Sequence, residues 1–373
     1  MMMTTSNRWN APNAAVKRCG SAGSTSVWTA VSGARPIMAD LQQLAISTRD
    51  SIGRYFSVVS AVPSAVLVVW IVLLVGSGAW GGRPDPIASL RVFADLGFGG
   101  AVELVFAAIF LGVVTHPIQY SLIQFLEGYW GDGPVAGRAR LLRSRAHYAR
   151  IRALRGRSSW LTREITDRQR KLKVAEQPDK RSIYAEIAEL KSRRGELEHL
   201  VSNYPDKREA FMPTRLGNVL RRYEWTIGQG YGIDPIWTAP YILSVAPSAD
   251  VDYLDDQRSQ LDLAGRMTIV SFVATALTML FMARHGLWLL VALFPYASSY
   301  LSYRGAVVAA AEYGRALGVV ITLNRFALYD RLGLESPADS DVEKRQNQDL
   351  IHYLSHGETQ GLRLDYRSSP SPT

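Results

Sequence analysis

The chain has 373 residues, 47% hydrophobic and 20% charged, with a formal net charge of +9 at pH 7. Its apolar and charged residues are segregated into blocks, which excludes an ordinary single globular domain. Cys19 is the only cysteine, which excludes an intramolecular disulfide or a cysteine metal cluster. A basic balance admits anionic lipid, nucleic acid or acidic protein as partner, and the placement of the charges has to choose.

Residues 1–48 are rich in Ser, Thr, Ala, Gly and Asn without periodicity and are expected to be a disordered tail. The first apolar run starts near Tyr55, too late and too long for a cleaved leader, and reads as an anchor. Between Arg54 and Arg83 lie 28 residues without Asp, Glu, Lys or Arg. About 20 apolar residues cross a bilayer, so a first span is expected at about 56–77. The run Val102–Leu126 predicts a second, at about 102–124, ending in the interfacial pair Tyr129 and Trp130. These two spans form a first membrane hairpin over 49–131.

Two shorter uncharged runs, Met267–Ala283 and His285–Tyr303, predict spans at about 266–283 and 286–303, a second hairpin over 263–304. Arg266, Arg284 and Arg304 sit at the ends, where long side chains reach the interface. The fold class expected is therefore all-α: a polytopic membrane protein with four transmembrane helices in two hairpins and a cytoplasmic helical insert.

Orientation follows the arginines. Gly133–Arg163 holds nine Arg and no acidic residue, whereas the loop between the first two spans balances Arg83 and Arg91 against Asp85 and Asp95. Positive charge stays inside, so both termini and the insert over 132–262 are expected in the cytoplasm of a bacterial cell, with the chain in its cytoplasmic membrane. Arg138, Arg140, Arg143, Arg145, Arg150 and Arg152 follow the membrane exit closely and are candidate contacts for anionic lipid. A nucleic-acid surface would want aromatic interleaving, and only His147, Tyr148 and Trp160 occur there. No nucleic-acid partner is expected.

From Leu161 a helical stripe runs through Ile165 and Leu172, breaks at Pro178, and resumes with Ile183, Ile187, Leu190, Leu197 and Val201. It predicts a helical hairpin or coiled-coil arm over 161–203, suited to self-association or to docking another protein. A fresh helix follows Met212, with Thr214 as N-cap. Its apolar face is Leu216, Val219, Leu220 and Tyr223, and Arg215, Arg221 and Arg222 are placed mostly off that face. The glycines of Gly228–Pro235 resemble a phosphate loop but lack the strand and lysine one needs. They read as a turn that brings Trp237, Pro240 and Tyr241 to the membrane surface. After the last span, Ala306, Ala310, Gly314 and Gly318 recur every four residues as a candidate helix-contact stripe, on a cytoplasmic helix over 305–335. A weak helix at about 341–356 leads into a mostly disordered tail, within 336–373.

Chemistry is sparse. No HExxH, GxSxG, Walker or Rossmann pattern has a supporting context, and His352 and His356 read as a solvated pair. No catalytic residue, metal or other cofactor is expected. Glu103, His116 and Gln119 are the candidate membrane-embedded polar groups, because polar side chains in hydrocarbon are costly and often functional.

Several strings are similar to those of an uncharacterised family of actinobacterial integral membrane proteins: His116–Pro117, LEGYWG at 126–131, PTRLGNVLR at 213–221 and YGID at 231–234, with YRGA at 303–306. Pro213, Thr214, Arg215, Leu216, Gly217 and Asn218 form the most specific part. The resemblance implies a membrane protein and carries no assigned activity. The function expected is thus a non-enzymatic integral membrane scaffold or regulatory component. Its expected partners are the lipid bilayer, anionic lipids, and a second copy or an unidentified protein. The alternative is an oligomeric channel or transporter with the second and fourth spans near the pathway, a layout similar to bestrophin-type anion channels in topology alone.

Overall fold

The computed structural model describes residues 61–79, 81–131, 133–356, 364 and 366; for His116, Ile118, Gln119 and Tyr120 it describes the backbone alone. The expected N-terminal tail, the first residues of the first span and most of the C-terminal tail lie outside the described residues. So do the side chains of His116 and Gln119. The described residues form ten α-helices, with an isolated bridge between Leu334 and Tyr366 in place of any strand. They are α1 (Val62–Gly76), α2 (Pro86–Ala94), α3 (Phe98–Glu127), α4 (Pro134–Val174), α5 (Gln177–Ser202), α6 (Arg215–Thr226), α7 (Pro235–Val245), α8 (Ser248–Met282), α9 (Leu293–Leu332) and α10 (Ser340–His356).

Three of these are long and apolar enough to cross a membrane: α3, α8 and α9 with the 3-10 segment Gly286–Ala292 before it. The chain is therefore an all-helical protein of the membrane class. The described part of α1 is equally apolar but has 15 residues. It packs against α3 and α8, its Trp70 indole donating to the Thr278 hydroxyl at 2.9 Å.

The long helices are longer than the apolar runs within them. α8 starts 19 residues before Met267, and α9 passes from Leu293 through Arg304 to Leu332 without a break. The boundary expected between the fourth span and a following helix is thus not a helix end. No proline or tight glycine turn falls there, and Ala-rich sequence carries the helix on. The first residues of the expected fourth span, Gly286–Ala292, form the 3-10 connection instead.

The inner face of α8 is unusual for an apolar helix. Thr268, Ser271, Thr275 and Thr278 are buried on it, while Phe272, Met279 and Leu280 point outward. The Ser299 hydroxyl donates to the Thr268 carbonyl at 2.9 Å, and Ser271 and Ser298 share a hydrogen bond at 3.0 Å. In lipid the outer surface is apolar by necessity, so small hydroxyl residues that allow close approach and hydrogen bonding hold helices together.

The main hydrophobic core lies below these runs. It joins Leu216, Val219 and Leu220 of α6, Ala239 and Ile242 of α7 and Leu254 and Leu261 of α8 to the lower half of α9 and to Leu350 of α10. α10 is fastened by polar contacts: Arg325 pairs with Glu343 at 2.7 Å, and the Tyr329 hydroxyl donates to Asn347 Oδ1 at 2.5 Å. α7 buries Thr238, Ala239 and Ile242 in this core and leaves Trp237 and Tyr241 partly exposed.

α4 and α5 form an antiparallel arm. The arginine segment and the first helix of the predicted hairpin are one helix of 41 residues, about 60 Å long at the α-helical rise. Arginine favours helix and no proline interrupts the run, so the helix whose stripe was read from Leu161 begins at Pro134 instead. The break falls at Ala175–Glu176, with Pro178 tolerated in the first turn of α5. Ile151, Leu161, Ile165 and Ile187 are buried along the arm, and Arg168 of α4 pairs with Glu186 of α5 at 3.0 Å.

Candidate functional site: a buried ionic junction

Where α3 ends, four segments that are far apart in sequence meet. α3 stops at Gly128, whose φ of +107° is in the left-handed region that favours glycine at a helix C-terminus. Any side chain there would also meet the Pro213 ring, since a Cβ would lie 2.4 Å from its Cγ. Thr214 caps α6 as expected, accepting from the Gly217 N–H at 3.0 Å. The same hydroxyl donates to the Glu127 carbonyl at 2.7 Å. The C-terminus of α3 has carbonyls to satisfy, and α6 supplies one donor from its cap.

Asn218 fixes the turn before α6. Fully buried, it donates to the carbonyls of Met212 and Thr214 at 2.7 and 2.6 Å and accepts from the Met212 N–H at 3.0 Å. The hydroxyl of Tyr303, on α9, accepts from the N–H groups of Arg215 and Leu216 at 3.2 and 3.4 Å, two of the donors that a helix N-terminus leaves open. Gly217 lies so close to α3 that a Cβ would sit 1.9 Å from the Glu127 carbonyl oxygen. The strings at 126–131 and 213–221 and the tyrosine of the string at 303–306 therefore share one contact.

Charge is buried in the same place. Glu127 is 4% exposed, and its Oε1 has no hydrogen-bond partner. Arg221, expected off the apolar face of α6, is buried there instead; it pairs with Glu224 at 3.1 Å and donates to the Tyr129 hydroxyl at 3.0 Å. From α8, Arg258, Asp262 and Arg266 are buried on one face, with Arg258 and Asp262 3.9 Å apart. Burial, then the charge of Glu224, pushes the Glu127 carboxyl up to about 8, with Arg221 opposing. Burial likewise raises Glu224. Desolvation outweighs attraction here, as expected where ionised groups leave water with incomplete partners.

The other candidate residues lie elsewhere. Glu103 is exposed on α3, which runs on helically through His116, Pro117 and Gln119. Arg138, Arg143, Arg145, Arg150 and Arg152 are exposed along α4, and Arg140 is half-buried. Ala306 and Ala310 are fully buried within the protein, and a Cβ on Gly314 would collide with the Tyr223 ring at 2.3 Å. A Cβ on Gly318 would rest against Ile227 at 3.5 Å. The small-residue stripe is thus occupied by α6 of its own chain.

Glu127, Glu224, Arg258 and Asp262 were not among the candidates on sequence, and Arg266, expected to reach the membrane interface, is buried instead. Their signal is faint but real: Arg258, Asp262 and Arg266 repeat every four residues with alternating sign, leading into an apolar run. The cluster can hold and exchange a proton. Among the described residues no group of three or more His, Cys, Asp or Glu is placed to hold a metal ion. Comparison of the chain with family models, curated proteins and solved structures gave no match.

Proposed function

We propose that the chain is a non-enzymatic integral membrane scaffold or regulatory component that assembles through its α4–α5 arm. One observation carries this reading: the arm is an insertion that leaves and re-enters the body at a single point, Gly128 against Pro213 and Glu127 against Thr214. Beyond that base the two helices pack mainly on each other. Trp160, Val174, Tyr184 and Leu200 are exposed along them. An enzyme would concentrate reactive groups in a cleft, whereas a long exposed arm on a membrane anchor offers contact area.

In this reading α1 belongs to a fourth span, and the four pair as two hairpins. Arm and body lie in the cytoplasm of a bacterial cell with both termini, because the arginines crowd the exit of α3. Arg138, Arg145 and Arg152 recur every seven residues on one exposed face of α4, and would meet anionic lipid at the base of the arm. Kinship with the actinobacterial family belongs to the same proposal; its support is that three of the strings behind it converge on the junction. The stripe at Ala306–Gly318, being covered, leaves the arm as the surface for a second copy of the chain.

Cross-linking in native membranes tests the proposal. Cysteines placed at exposed arm positions such as Tyr184 are expected to capture a second copy. A strictly monomeric protein without partners overturns it, and ion conductance by the purified protein in bilayers would replace it with the channel reading.

A further inference from the structure

The strongest unexplained feature is Glu127: a carboxyl at the foot of a membrane helix, buried, with one oxygen that nothing satisfies. The groups around it come from each element packed at the junction. α6 contributes Arg221 and Glu224, which are occupied with each other, and Arg221 also holds the Tyr129 hydroxyl that follows α3. α8 contributes Asp262, whose negative charge is felt at Glu127, with Arg258 and Arg266 a turn away on either side. From α9 the Tyr313 hydroxyl lies in the field of Arg258, Asp262 and Glu224, and Tyr303 is engaged by the first N–H groups of α6.

The six charged side chains are three carboxyls and three guanidiniums. Arg221 pairs with Glu224, and Arg258 lies 3.9 Å from Asp262; Glu127 belongs to neither pair. Two of the three charges that act on Glu127 are themselves carboxylates. An ionised Glu127 would add a third negative charge to a dry site with one of its oxygens unsolvated, which is among the costlier arrangements a protein can hold. A neutral carboxyl removes the repulsion.

We propose that Glu127 is a proton-binding site, neutral in the assembled junction, and that loss of its proton to water loosens the seat of α3 on α6. The backbone makes this coupling direct. The carbonyl of the same residue accepts the Thr214 hydroxyl and abuts Gly217, so any movement that lets water reach the carboxyl also strains the one contact where the arm begins and ends. The inference does not depend on what the arm binds.

Infrared spectroscopy of the full-length protein in detergent micelles reads the site directly, since a protonated carboxyl has its own carbonyl band. The band is expected at neutral pH, fading with a midpoint near pH 8. It should be missing from Glu127→Gln and retained in Glu103→Gln, a change on the exposed face of the same helix. Absence of the band from the unaltered protein at neutral pH overturns the proposal even if Glu127→Gln does not fold, and so does a band that Glu127→Gln leaves unchanged. The coupling has its own readout. The melting temperature of the unaltered protein should fall more steeply between about pH 6 and about pH 8 than that of Glu127→Gln. Parallel profiles would leave a bound proton with no hold on the junction and overturn the second half of the proposal.

Discussion

The Thr214 hydroxyl donates to the Glu127 carbonyl at 2.7 Å across 87 residues of sequence. That bond closes the base of the arm, ties the end of a membrane helix to the start of a core helix, and sits beside a buried carboxyl.

Gly217 should tolerate no side chain. A Cβ there meets a backbone carbonyl oxygen at 1.9 Å, an atom that cannot move without displacing α3. Gly217→Ala is expected to destabilise by about 3 kcal/mol or more, near the upper end for overpacking. Thr214→Ala, which loses a cap and an interhelix bond, should cost about 1–2 kcal/mol, and Thr214→Ser much less. Thermal unfolding in detergent gives the order.

Shortening the arm should leave the body folded. Arg155 donates to the Pro205 carbonyl at 2.9 Å and pairs with Asp206 at 2.8 Å, so the two sides of the arm are already adjacent at that level. Replacing residues 156–202 by a short Gly/Ser turn is expected to shift the melting temperature by only a few degrees, because closing a loop depends weakly on its length. Collapse of the body would show that the arm is part of its core.

Trp70 and Thr278 should be energetically coupled. Thr278 is fully buried and takes the indole N–H at 2.9 Å. Trp70→Phe and Thr278→Val are each expected to cost about 1 kcal/mol of this contact, with the double variant losing little more than one, as hydrogen bonds between membrane helices are worth roughly this much. Additive losses would show the bond to be idle.

Acid should loosen the base of the arm. The His147 imidazole is held below its usual range, first by burial and then by Arg215, Arg143 and Arg150. It lies 3.4 Å from the Tyr204 hydroxyl. Because the folded protein resists protonating it while the unfolded chain does so near the ordinary 6.5, its contribution is present above that pH and is lost as pH falls below it. Relative to His147→Gln, the melting temperature of the unaltered protein should therefore drop between about pH 7 and about pH 5, whatever the other titrating groups contribute to both curves.

The sequence by itself determined the helical class of most of the described elements, although α2 falls in what read as the loop between the first two spans. Long apolar runs, interrupted in α3 only by Glu103 among the charged residues, marked segments of α3, α8 and α9, and the stripe through Ile165 and Ile187 marked the arm. Thr214 was legible as a cap because an N-cap is a local arrangement of side chain and backbone. Periodicity also separated faces, although it misplaced Arg221, whose burial depends on a carboxylate one turn on and a tyrosine 92 residues away. Only the tertiary structure decided what covers Gly314, why Gly217 must be glycine and which carboxyl is left without a partner. The reason is physical. Hydropathy and helical period are properties of neighbouring residues, whereas the state of Glu127 is set by α6 and α8, which the chain reaches only about 90 and 130 residues later.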